Sequence, residues 1–233
     1  MLNLSSYIYV LFILTTLSAI FIFYKAAGST KKVFGIIAAW MLLQSLVSST
    51  GFYANTHSLP PRLLLLLMPP VAGIIFLFAT VKGRAFLDSL DIKLLTLIHI
   101  VRVPVEVVLF CLFINKTIPQ LMTFEGRNFD ILSGLTAPFI YYAVFVKFNG
   151  SRKMLLLWNI VCLALLFSIV INAVLSVPYP FQQFAFDQPN IAILYFPFVW
   201  LPGIIVPLVL LSNLAAIRQL VWSGKINKSV SPV

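Results

Sequence analysis

Charged side chains are scarce in this sequence of 233 residues, and most of those present are basic. Only 9% of the residues are Asp, Glu, Lys or Arg, whereas 61% are hydrophobic. A water-soluble protein needs a large polar surface, so this composition excludes a soluble domain and predicts contact with membrane lipid. The net charge of +10 does not indicate a nucleic-acid partner, because the basic residues lie in short stretches between apolar runs.

Residues that bind metals and cofactors are equally rare. The two cysteines, Cys111 and Cys162, lie inside apolar runs and fit no zinc-binding or redox spacing. The only histidines are His57 and His99, too few for a bis-histidine haem or a multi-histidine zinc site. We therefore expect no metal site and no cofactor. The sequence also contains no P-loop, no HExxH motif, no GxSxG elbow and no dinucleotide fingerprint, so soluble-type catalysis has no support.

Long apolar runs recur along the whole sequence. A helix needs about 20 apolar residues to cross the roughly 30 Å hydrocarbon core of a bilayer. The runs are continuous rather than alternating, which excludes a β-barrel. They predict an all-α integral membrane protein, a single domain in which seven transmembrane helices form a bundle. The expected spans are residues 7–24, 33–53, 63–81, 94–114, 131–146, 154–177 and 191–217. Prolines in the third and seventh spans predict that both are kinked or interrupted.

The distribution of basic residues predicts the orientation. Arg62, Lys116 and Arg127 lie on one side of the predicted bundle, and twelve of the 16 basic residues lie on the other side. Basic residues concentrate in cytoplasmic loops, so the N-terminus is expected outside and the C-terminus in the cytoplasm. We expect the bacterial cytoplasmic membrane as the location. The twelve are Lys25, Lys31, Lys32, Lys82, Arg84, Lys93, Lys147, Arg152, Lys153, Arg218, Lys225 and Lys228.

The fourth predicted span carries the candidate binding residues. His99, Arg102 and Glu106 are spaced by three and four residues, so they share one helical face. Arg102 and Glu106 lie near the centre of the span, where an unpaired charge costs about 2.5 to 3.5 kcal/mol or more. We expect these two side chains to be each other's main electrostatic partner. Pro104 between them frees a backbone carbonyl and is expected to kink the helix.

The fourth loop, on the outer side, concentrates charge on a side that otherwise has little. It contains Glu125, Arg127 and Asp130 around Gly126. One interpretation is that the loop folds over the outer mouth of a cavity and contributes one of these charges to a polar site. The other is a solvated turn in which Asp130 begins the fifth helix, where its charge suits the helix dipole.

Three functional hypotheses follow from these patterns. The preferred one is binding or translocation of a small molecule, ion or proton, with Arg102 as anion partner, Glu106 as counter-ion or proton carrier and His99 as a secondary polar group. The second is an intramembrane enzyme that acts on a lipid or isoprenoid and uses Glu106 in acid–base catalysis. The third is a structural or assembly partner. No pattern specifies a substrate, a coupling ion or an oligomeric state, and whether the protein is an enzyme stays open.

Overall fold

The architecture of the chain is all-helical. A computed structural model describes residues 4–58, 60–147 and 151–222, and these residues form no β-strand. The helices over these ranges are α1 (Ser6–Ala26), α2 (Lys31–Ser49), α3 (Leu63–Ala79), α4 (Val81–Ser89), α5 (Ile92–Ile114), α6 (Ile131–Val146), α7 (Arg152–Leu175) and α8 (Leu201–Trp222). Single 3-10 turns occur in the connections, at Phe52–Ala54, Gln120–Met122 and Ala192–Leu194.

Several of these helices are suited to a bilayer. In the part of the chain that the structure describes, α1, α2, α5, α7 and α8 are long and apolar enough to cross a membrane, and the bent pair α3–α4 makes a sixth candidate. Large apolar side chains cover the outside of the bundle, such as Ile36 at 72%, Phe76 at 64% and Phe139 at 74% exposure. Water does not solvate such a surface well, whereas lipid does. The chain is therefore a helical membrane protein.

The third predicted span is interrupted, but not at its prolines. The helix α3 continues through Pro69 and Pro70, and the interruption lies at Thr80, after which α4 runs at 96° to α3. The hydroxyl of Thr80 accepts the amide of Gly83 at 3.1 Å and caps α4. A Cβ on Gly83 would overlap the carbonyl of Leu77, so only glycine permits this bend without a shift.

The last predicted span begins later than expected. The helix α8 starts at Leu201 rather than at residue 191, and the preceding residues form an irregular segment with one 3-10 turn. Pro197 lacks an amide hydrogen and disfavours helical geometry at Phe196, which keeps the helix from starting earlier. Pro202 lies in the first turn of α8, where its missing amide costs nothing.

Contacts between the connections define the two ends of the bundle. At the end that we call the Arg152 end, Arg152 Nε donates to the carbonyl of Leu220 at 2.6 Å, and Arg218 forms an ion pair with Asp88 at 2.9 Å. At the opposite end, the carbonyl of Thr117 accepts the amides of Ile191 and Ala192. The amide of Asp91 donates to the carbonyl of Ala26, so the connections that follow α1 and α4 also lie at the Arg152 end.

Candidate functional site

The helix α5 changes geometry where the candidate residues lie. Ile98–Val101 form a 3-10 turn, and regular α-helix resumes at Arg102. Pro104 has no amide hydrogen for the carbonyl of Ile100, which is consistent with the tightened turn before it. The side chains of His99, Arg102 and Glu106 are all buried, with exposures of 0, 3 and 1%.

Arg102 is paired with Asp130, and the expectation that Glu106 is its main partner was wrong. Arg102 Nη1 donates to Asp130 Oδ1 and to the backbone carbonyl of Cys162, the latter at 3.3 Å. Glu106 is four residues away on the same helix, but its carboxylate points to another partner. The carboxylate of Asp130, which lies just before α6, contacts the guanidinium directly. The spacing of residues along α5 could not indicate this partner.

Glu106 is held by Asn128, a residue that the sequence analysis missed. Asn128 Nδ2 donates to Glu106 Oε1 and to the carbonyl of Met122. The Oδ1 atom of Asn128 accepts the amide of Asp130 at 3.0 Å. This asparagine is 1% exposed, and its bond to the residue two positions later is an Asx-turn. Asparagine in a polar loop favours such a turn, and this preference is the one feature of the sequence that could have indicated its role.

These contacts show that the chain between α5 and α6, residues 115–130, brings Met122, Asn128 and Asp130 into the bundle. Arg102 lies twelve residues before the end of α5 at Ile114, about 18 Å on an ideal helical rise. Asp130 and Asn128 reach the side chains of Arg102 and Glu106 at that depth. We call residues 115–130 the inserted segment. Non-helical backbone is tolerated at such depth only when protein buries it or when it lines a cavity. The insertion also explains why α6, with 11 and 5 residues in its two parts, is short.

The remaining loop candidates lie away from this cluster. Glu125 and Arg127 are exposed, whereas Asp130 is 6% exposed. Asp130 directly precedes α6, but its side chain makes no capping hydrogen bond there. Of the three charged loop residues, the structure therefore brings only Asp130 to Arg102.

A cavity adjoins the charged cluster. It has a volume of about 80 Å³ and lies between α3, α5, α7 and α8. One water molecule needs roughly 10 to 15 Å³ by the same measure, so the cavity holds several waters or part of a small molecule. Its walls are apolar except for Arg102, Glu106 and Asp130. The cluster is thus the polar end of an otherwise apolar cavity.

Three atoms of the cluster have no hydrogen-bond partner among the residues that the structure describes. They are Arg102 Nε, Arg102 Nη2 and Glu106 Oε2, all of them buried. A buried polar atom left unpaired costs about 1 to 3 kcal/mol, and more when it is charged. Two donors and one acceptor therefore remain available beside the cavity.

His99 lies one helical turn from Arg102, towards the Arg152 end, and is not part of the cavity wall. Its ring packs edge-on against Trp158, with ring centroids 5.1 Å apart. Neither ring nitrogen has a hydrogen-bond partner in residues 4–58, 60–147 and 151–222. Across the same residues, no group of three or more His, Cys, Asp or Glu side chains is arranged to hold a metal ion.

Comparison with known proteins identifies a family for most of the chain. Residues 59–221 match the family described as a domain of unknown function, DUF8737. This range includes every residue of the cluster. Curated proteins and solved structures gave no match.

Proposed function

We propose that this chain, which belongs to the DUF8737 family, binds a small molecule inside the membrane, in the cavity lined by Arg102, Glu106 and Asp130. The observation that carries the proposal is the set of unpartnered atoms on Arg102 and Glu106 at one end of an apolar cavity. A charge placed in a membrane interior usually marks a binding site or pathway. The ligand supplies an acceptor to the guanidinium and a donor to the carboxylate.

The walls indicate an amphiphilic ligand. Leu67 on α3, Val170 on α7 and Val206 on α8 line the cavity and are only half-buried, on helices whose outer faces are apolar. An opening between such helices faces lipid rather than water. A molecule with a hydrocarbon body and a hydroxyl or protonated carboxyl end fits this arrangement, because the body matches the walls and the O–H end can accept from Arg102 and donate to Glu106.

A second candidate function is an intramembrane enzyme. The observation that favours it is the pair of carboxyl groups, Glu106 and Asp130, that line the same cavity beside Arg102. One carboxyl could transfer a proton while the guanidinium stabilises a developing negative charge. Binding precedes transport and catalysis alike, so it is the function proposed first. A purely structural role for the charges does not account for a cavity beside unpartnered donors.

The proposed topology has seven spans, formed by α1, α2, α3, α5, α6, α7 and α8, with α4 across the end of α3. The Arg152 end faces the cytoplasm and the N-terminus faces outward, in a bacterial cytoplasmic membrane. Support comes from the basic residues, because Lys82, Arg84 and Arg218 belong to the Arg152 end.

The test is mass spectrometry of small molecules that co-purify with the protein. The site variant combines Arg102→Leu with Asp130→Leu, which removes both partners and strands neither charge. The control combines Arg218→Leu with Asp88→Leu, the other ion pair in the described chain. We expect wild type and control to carry the same non-bulk molecule and the site variant to lack it. Equal amounts in all three proteins would refute the proposal.

A further inference from the structure

A second set of buried polar side chains lies beyond the cavity, towards the Arg152 end. His99 on α5, Asn159 on α7 and Asn213 on α8 are 0, 1 and 0% exposed. We call these three residues the polar layer. None of them lines the cavity, and none contributes to the ligand contacts proposed above.

The helix register brings the two asparagines to one level. The helices α7 and α8 pack against each other and run in opposite directions, with Arg152 beside Leu220 at one end. Seven residues along each helix from this contact lead to Asn159 and Asn213, two full turns on both sides. Further along, the same register pairs Val170 with Pro202, and both line the cavity.

His99 lies at the same level. It contacts Trp158, the residue before Asn159, and Arg102 one turn further along α5 reaches the carbonyl of Cys162, one turn further along α7. The helices α5 and α7 therefore run in the same direction, and one turn along α5 corresponds to one turn along α7. Three helices thus place a polar residue at a common depth.

The three side chains also lie on the helix faces that line the cavity. Asn213 follows the lining residues Val206 and Val209 by seven and four positions, and Asn159 precedes the lining residue Leu166 by seven. The polar layer therefore lies in line with the cavity, on the other side of Arg102.

The polar layer contains five buried atoms with no hydrogen-bond partner in the described chain. They are both ring nitrogens of His99, Oδ1 of Asn159, and Oδ1 and Nδ2 of Asn213. The remaining amide nitrogen of Asn159 donates to the carbonyl of Leu155. Native proteins satisfy more than nine tenths of their buried polar groups, commonly through internal water that makes about three hydrogen bonds.

We propose that the polar layer is a binding site for a cluster of ordered water molecules. The ligand is water because the three side chains offer both donors and acceptors and carry no carboxylate or guanidinium. Leu155, with 0% exposure, and Ala216, with 1%, lie one turn beyond the asparagines and close the cluster off from the Arg152 end. The water extends the hydrogen-bonded region from the charged cluster towards that end.

Hydroxyl-radical footprinting of the purified protein tests the site, because X-ray pulses generate radicals from bound water and label side chains beside it. We expect His99 to be labelled although it is fully buried. The label falls several-fold when Asn159→Leu and Asn213→Leu are combined. His57, exposed in a loop and the only other histidine, is the internal reference and keeps its labelling rate. A His99 whose labelling is absent, or unchanged in the double variant, overturns the proposal.

Thermal stability gives an independent readout that does not require labelling chemistry. If the layer holds water, Asn213→Leu removes satisfied hydrogen bonds, and the melting temperature falls by about 2 to 4 °C. If the layer is dry, the same change removes unsatisfied atoms and raises the melting temperature. Asn172→Leu, on the half-buried side of α7, is the matched control. An increase for Asn213→Leu beyond that of the control contradicts the proposal.

Discussion

Arg102 is the residue on which the charged cluster depends. Its guanidinium contacts Asp130 and the carbonyl of Cys162, and two of its nitrogens have no partner among the residues that the structure describes. A buried guanidinium that loses its carboxylate becomes an uncompensated charge. The two acidic residues of the cluster are therefore not equivalent. Asp130 neutralises Arg102, whereas Glu106 is held by the neutral amide of Asn128.

We predict that Asp130→Asn destabilises the protein more than Glu106→Gln does. Breaking a buried ion pair from one side costs about 3 to 5 kcal/mol. A glutamine at position 106 keeps an oxygen that accepts the Asn128 amide, so its replacement is expected to cost less. Thermal unfolding in detergent measures the difference.

Combining Arg102→Leu with Asp130→Leu tests the same pair from the other direction. Removal of both charges leaves neither member of the ion pair stranded, so the double variant is expected to recover much of the loss of Asp130→Asn. A Glu106→Gln variant that is as unstable as Asp130→Asn would show that Arg102 depends on Glu106 after all.

The sequence predicted the buried charges better than their partners. The depth of Arg102 and Glu106 follows from counting residues along one apolar run, and their shared face follows from helical periodicity. Their partners, Asp130 and Asn128, arrive through an irregular loop whose path no periodicity describes. Asp130 was a candidate because it is charged. Asn128 was not, because asparagine is common in polar turns that have no functional role.

At the scale of elements, the inserted segment determines the geometry of the site. Gly126 lies within it, packed against the backbone of Gln120 and Leu121. A Cβ on Gly126 would overlap the carbonyl oxygen of Gln120 and lie 2.7 Å from Leu121 Cα. Backbone atoms cannot move aside as a flexible side chain can, so the segment must shift.

We predict that Gly126→Ala lowers both the melting temperature and the amount of co-purifying ligand. Gly73→Ala, in α3, is the control because its added Cβ meets nothing within 4 Å. In a helix interior, alanine is more favourable than glycine by roughly 0.5 to 1 kcal/mol, so the control is expected to be neutral or stabilising. Equal behaviour of the two variants would rule out a close packing role for Gly126.

The start of α8 depends on a hydrogen bond between helices. Pro207 lacks the amide that would bond the carbonyl of Gly203 in a regular helix, and the indole of Trp40 on α2 donates to this carbonyl at 2.9 Å. We predict that Trp40→Phe costs about 1 to 3 kcal/mol by leaving the carbonyl unpaired. Trp222→Phe, at an exposed position, is the control for thermal unfolding. No difference between them would contradict the bond's importance.

Helices with uninterrupted apolar runs were the elements that the sequence described best. The prolines indicated interruptions in the third and seventh predicted spans but not where they lie. The start of α8 was not predicted, because hydropathy is as high in the irregular residues before Leu201 as in the helix. The bend at Thr80 depends on a capping hydroxyl and on the absence of a side chain at Gly83, which are local features without a hydropathy signal.

At the scale of the whole molecule, the proposed orientation predicts which residues face the cytoplasm. Single cysteines at Lys82 and Gln183, both exposed, lie at opposite ends of the bundle. In intact cells, an impermeant thiol reagent is expected to label Gln183→Cys and not Lys82→Cys. The chain without added cysteine gives the background from Cys111 and Cys162. Labelling of Lys82→Cys alone would show that the orientation is the reverse of the one proposed.

The central claim is that the cavity beside Arg102 is a ligand-binding site, and an experimental density map of the protein in lipid nanodiscs tests it most directly. The map is predicted to show a bound molecule whose oxygen lies within hydrogen-bonding distance of Arg102 Nε or Nη2 and Glu106 Oε2. Its hydrocarbon part follows Leu67 and Val206. A collapsed cavity, with Arg102 enclosed between Asp130 and Glu106 and no density beside them, would contradict the account.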